Sequence, residues 1–95
     1  MGDEKRIVED YLKREVEKRG GLCVKFVPDH FAGFPDRELY MPHGVHLLVE
    51  TKAPHVKGVD KLQAIVHRRL RRLGHRVEVC HNREQVDALM LEFNI

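Results

Sequence analysis

Asp36, Glu50 and Lys52 are the residues of this chain whose types and spacing could do chemistry together. They stand in "GFPDRELYMPHGVHLLVETKAP", residues 33–54, which otherwise reads as a β-hairpin. Strand interiors favour apolar and β-branched side chains, and Asp is among the residues depleted there. Pro42-His43-Gly44 has the composition of a turn. If that turn is a three-residue loop, Met41 faces Val45 and the same register puts Asp36 opposite Glu50. Opposed Cβ atoms lie about 4.5–5.5 Å apart. Lys52, two residues on, projects from the same face as Glu50. A two- or four-residue loop would shift this register by a residue.

Like charges held opposite each other are destabilising, so the pattern calls for a compensating cation. Lys52 is one source. A divalent ion is the stronger one: Mg²⁺ binds through one or two carboxylates and keeps waters and positions for a substrate phosphate. The carbonyl of Thr51, whose side chain points away, could join the coordination. In the competing explanation, Asp36 starts its strand in water and Glu50–Lys52 is an exposed pair on one face. Leu47-Leu48-Val49 immediately before Glu50 favours a central strand instead, and a carboxylate at the end of a buried strand is a site candidate.

The elements that must position these groups follow from periodicity. Residues 3–19 read as an amphipathic helix with Ile7, Val8, Tyr11, Leu12 and Val16 on one stripe, Asp3 as N-cap and Gly20-Gly21 as its stop. Glu4 falls on or beside that stripe, and Glu9 and Lys13 on the wet side. Residues 22–27, about 36–41, about 45–52 and 75–80 read as strands. Residues 60–73 read as a second helix with Asp60 as N-cap, Gly74 past its end, and Leu62, Ile65, Val66, Leu70 and Leu73 facing in. A last helix opens at Asn82 or Arg83 and runs to about Phe93. The order α-β-β-β-α-β-α, without linker or repeat, predicts a single α/β sandwich domain over 1–95.

Composition bounds the function. At 95 residues the core is thin, and 42% hydrophobic with 34% charged residues describes a folded domain rather than a disordered one. No apolar run approaches the length of a membrane span and no signal region opens the chain, so a cytoplasmic protein is expected. Cys23 and Cys80 form no CxxC pair. Two buried thiols fit a reducing compartment, and a disulfide between them stays open. "HRRLRRLGHR", residues 67–76, holds five arginines and two histidines and no acid. It reads either as a solvated helix face or as an electrostatic footprint for phosphate. Arg68, Arg69, Arg71, Arg72, Lys57 and Lys61 are the candidate nucleic-acid contacts. The seven histidines, including His43, His46, His67, His75 and His81, make no ligand-spaced pair and read as solvated or DNA-facing. Phe31 and Phe34 read as loop anchors in preference to base-stacking residues.

Pro35-Asp36…Glu50-Thr51-Lys52 resembles the PD-(D/E)xK nuclease signature. The ordered set "GGLCVKFV", "GFPDR", "VETKAP", "KLQ" and "LRRLGHRVEVC" resembles the VRR-Nuc family over nearly the whole chain, and its stand-alone phage-type members in length. The resemblance implies a restriction-endonuclease-like fold, with a mixed four-stranded sheet flanked by helices. It implies Mg²⁺- or Mn²⁺-dependent cleavage of DNA, with Asp36 and Glu50 as metal ligands, the Thr51 carbonyl assisting, and Lys52 acting on the attacking water and the phosphate. Gln63 matches the family's helix glutamine, and Glu4 matches its first-helix acid, with Glu9 the other candidate. Thr51 stands where the family usually has Leu. A homodimer is implied, as is action on branched or flapped DNA such as a four-way junction, in a host cytoplasm if the chain is phage-encoded; the resemblance does not fix the pairing surface, and the helix from Asp60 and the tail at Phe93 and Ile95 both stay open. The rival function is a non-catalytic nucleic-acid-binding module that uses the basic helix alone.

Overall fold

The computed structural model describes residues 2–94. Its elements are α1 (Gly2–Lys18), β1 (Leu22–Lys25), β2 (Arg37–Met41), β3 (Val45–Thr51), α2 (Lys61–Arg72), β4 (Val77–Cys80) and α3 (Arg83–Met90), followed by a 3-10 turn over Leu91–Phe93. The four strands form one sheet in the order β1-β2-β3-β4. β1 and β3 run antiparallel to β2, and β4 runs parallel to β3. A parallel neighbour requires a crossover, and α2 is its helix.

The hairpin register is the one a three-residue loop dictates, with Met41 against Val45 and Arg37 against Val49. The loop is a 3-10 turn over Pro42–Gly44, and His43 takes a left-handed φ of 65°. Side chains alternate across a sheet, and this splits the layers. Leu39, Met41, Leu47 and Val49 turn to the face where Val8, Leu12 and Val16 of α1 and Val86, Leu89 and Met90 of α3 complete the core. Glu50 turns to the opposite face, toward α2. Leu12 and Leu39 are fully buried; truncating either to Ala should cost about 2–5 kcal/mol, a large share of the margin of a small domain.

Two close approaches fix the connections that lead to the site. A Cβ on Gly21 would fall 2.8 Å from Met41 Sδ and 3.0 Å from Tyr40 O, so α1 enters the sheet through a space only glycine fits. Gly33, at a left-handed φ of 88°, lies against Leu62 and Val66 of α2. There the loop before β2 is seated on α2, with Phe34 edge-on to both Phe26 and Phe31, while Phe31 stays half exposed.

Several expectations need correcting. Strand β1 stops at Lys25 and β4 begins at Val77. Asp3 lies inside the first turn of α1, where its charge suits the helix dipole, and not at the cap. Ile7, Leu62, Ile65 and Leu73 are exposed. The residues that α2 buries are Val66 and His67, so His67 is not solvated. Cys23 and Cys80 are free thiols, as expected, but only Cys80 is buried and Cys23 is partly exposed; burial pushes their pKa values up to about 11 and about 12, which disfavours the reactive thiolate. Among the described residues, no helix is long and apolar enough to cross a membrane. The pairing surface expected at Ile95 lies outside the described residues.

Candidate active site and metal centre

Asp36 stands one step before the first ladder pair of β2. Its carbonyl still accepts the N–H of Phe26 at 3.0 Å, on the β1 side. On the β3 side its carboxylate takes over the ladder: Oδ1 accepts the backbone N–H of Thr51 at 3.0 Å and Oδ2 accepts the Thr51 hydroxyl at 2.8 Å. An aspartate is therefore tolerated here because it sits at the end of the strand and replaces a missing backbone acceptor. Two cations approach Oδ2, Lys5 Nζ at 3.3 Å and Arg37 at 3.5 Å. Arg37 is itself buried and is braced by Glu9 at 3.1 Å.

Glu50 is 2% exposed at the end of the central strand. Its Oε2 accepts Gln63 Nε2 at 3.0 Å and lies 3.6 Å from Lys52 Nζ. Its Oε1 is buried without a hydrogen-bond partner. Burial first, and then the charge of Asp36, raise the Glu50 pKa, while Lys52 and Lys5 oppose them. A buried carboxylate oxygen without a donor is costly. The pair presents hard oxygen donors in need of positive charge, which suits an oxygen-preferring divalent ion.

Gln63 has two tasks. With Asp60 it forms a reciprocal capping box: Gln63 N–H donates to Asp60 Oδ1 at 2.8 Å and Asp60 N–H donates to Gln63 Oε1 at 3.1 Å. Its amide nitrogen is then free to aim at Glu50. One turn later His67 is buried, with Nε2 unpartnered, and burial followed by the charges of Arg71 and Lys52 lowers its pKa.

The structure thus brings together Asp36, Glu50, Thr51, Lys52 and Gln63. Glu4 is half exposed and bonds His55 at 3.3 Å. Among the described residues no three His, Cys, Asp or Glu side chains converge as a metal cage. Glu9, expected on the wet side, is partly covered and holds Arg37 and Lys5. Sequence reading missed Lys5 and Arg37. The signal for Lys5 was its place three residues before the buried Val8, on the inner side of α1.

All six candidate nucleic-acid contacts, Lys57, Lys61, Arg68, Arg69, Arg71 and Arg72, are exposed. Arg71 has a structural task as well, since its guanidinium donates twice to the Val77 carbonyl, at 2.8 and 3.3 Å.

An α/β sandwich with a mixed sheet, a carboxylate at the start of one strand and a Glu-x-Lys at the end of its antiparallel neighbour defines a PD-(D/E)xK-type nuclease fold. Comparison with known proteins resolves the family. A solved structure titled "VRR_NUC domain" superposes with a TM-score of 0.89 at 32% identity, covering 96% of this chain and 98% of that one. A curated relative, "Putative nuclease p44" of Acyrthosiphon pisum secondary endosymbiont phage 1, is 40% identical over 77 residues, 81% of this chain and 82% of its own length. No family model matches. The chain belongs to the VRR-Nuc family of nucleases.

Proposed function

We propose that this chain is a divalent-metal-dependent, structure-selective DNA endonuclease. The observation that carries this reading is the buried, donor-free Oε1 of Glu50 beside the tethered carboxylate of Asp36, with Lys52 Nζ at the same site.

In this reading Asp36 and Glu50 hold Mg²⁺ or Mn²⁺, assisted by the Thr51 carbonyl, with Glu4 as the further candidate ligand. When bound, the ion supplies a water that is nucleophilic near neutral pH and polarises the phosphate. The protein does the rest. Gln63 fixes the orientation of Glu50. Lys52 orients the attacking water and offsets the charge that develops on the phosphate oxygens. Exposed Lys57, Lys61, Arg68, Arg69 and Arg72 grip the sugar-phosphate backbone, and such contacts position DNA without reading its sequence. Selectivity then comes from the shape of the DNA, and branched substrates such as four-way junctions fit two sites in a homodimer. The exposed row of Leu62 and Ile65 on α2, with Phe31 beside it, is the surface proposed for pairing.

A panel of labelled four-way junction, splayed fork, flap and plain duplex, each with Mn²⁺ and the purified protein, tests this function. The expected result is preferential cutting of a branched member by a species that sediments as a dimer. Uniform resistance of all four substrates would refute it.

A further inference from the structure

We infer that Thr51 is a positioning residue for the Asp36 carboxylate, and that its hydroxyl sets the affinity of the site for a divalent cation. The inference rests on the metal-dependent reading above and adds a residue to it. Asp36 has two free side-chain torsions, and one neighbour restrains both carboxylate oxygens. The Thr51 N–H engages Oδ1 at 3.0 Å and the Thr51 hydroxyl engages Oδ2 at 2.8 Å. A carboxylate only accepts, so the hydroxyl must be the donor. Thr51 is fully buried, and a β-branched side chain is stiff at χ1, so the donor is aimed with little freedom.

The restraint also distinguishes the two oxygens. Oδ2 faces the hydroxyl, Lys5 Nζ at 3.3 Å and Arg37 at 3.5 Å. Oδ1 is engaged by the Thr51 amide. Thr51 thereby commits Oδ2 to the protein and leaves Oδ1 as the oxygen with spare acceptor capacity, as Oε1 is in Glu50. Hydrogen bonds that orient a ligating group commonly change metal affinity when they are removed.

The test is calorimetric titration of Mn²⁺ into wild type, Thr51→Val and Thr51→Ser, with thermal unfolding in chelator alongside. Valine keeps the shape and deletes the hydroxyl; it should weaken Mn²⁺ binding by about 10–100-fold, and serine should restore the affinity. If valine does not fold, Thr51→Ala serves in the same comparison. Valine or alanine binding Mn²⁺ like wild type, whatever its melting temperature, overturns the inference and leaves the functional reading standing. Wild type that binds no Mn²⁺ overturns both.

Discussion

Gln63 and Glu50 are joined by a 3.0 Å hydrogen bond from an amide nitrogen to one carboxylate oxygen, and the other oxygen of Glu50 is left buried and alone. The helix that caps itself with Gln63 therefore also aims a ligand. The two tasks can be separated by mutation. Asp60→Ala breaks the capping box and should cost about 1 kcal/mol in unfolding free energy, with cleavage preserved. Gln63→Ala breaks the box and the contact to Glu50; it should cost a similar amount of stability and, in addition, about 10–100-fold in cleavage. Equal activity losses in the two variants would mean that Gln63 acts only through the helix.

Glu50 should oppose stability when no cation is bound. Its folded-state pKa lies above the ordinary carboxylate value, chiefly through burial. The native state thus holds its proton more tightly than the unfolded chain. The contribution of Glu50 is fully present below the unfolded pKa and is lost as pH rises through the raised folded value. Glu50→Gln should therefore melt higher than wild type at neutral pH in chelator. Adding Mn²⁺ should raise the melting point of wild type and not that of the variant.

His67 acts with the opposite sign. Its folded pKa is depressed by burial, then by Arg71 and Lys52, so the unfolded chain binds the extra proton first. Stability should fall as pH drops through the ordinary imidazole range, near about 6.5. A His67→Gln variant should flatten that part of the curve in urea unfolding measured from pH 8 to 5.

The arginines of α2 should divide into two classes. Arg68→Ala and Arg72→Ala should each weaken DNA binding across sequences and reduce the salt slope by about one. Arg71→Ala should lower thermal stability as well, because its guanidinium holds the Val77 carbonyl at the start of β4. Melting curves and binding at several salt concentrations on the same three proteins distinguish the classes.

The hairpin was legible because Pro42-His43-Gly44 fixes a loop length and alternation does the rest. Asp36 and Glu50 stood out because one precedes β2 and the other follows the apolar run Leu47-Leu48-Val49, in a hairpin register that sets them at the same end of the sheet; Glu38 and Glu78, carboxylates inside β2 and β4, show that a charge in a strand is not by itself the signal. The inner face of α2 was not legible. Hydropathy favours Leu62 and Ile65 as buried, yet the helix turns Gln63, Val66 and His67 inward, because the sheet presents Glu50 there and a polar group must meet it. The cations around Asp36 were hidden for a related reason. Lys5 and Arg37 look like surface charges; the packing of α1 over the end of β2 brings Lys5 to the buried carboxylate, and Arg37, the chain neighbour of Asp36, is buried there against Glu9 of α1.

If Asp36, Glu50 and Lys52 form a working hydrolytic site, Lys52 is the group whose loss should stop the reaction without loosening the DNA. The decisive measurement is cleavage and binding of one labelled four-way junction in Mn²⁺, with wild type and Lys52→Ala side by side. Both proteins should bind the junction with similar affinity, and only wild type should cut it. Undiminished cutting by Lys52→Ala, or a junction bound by wild type and left intact, would contradict such a site.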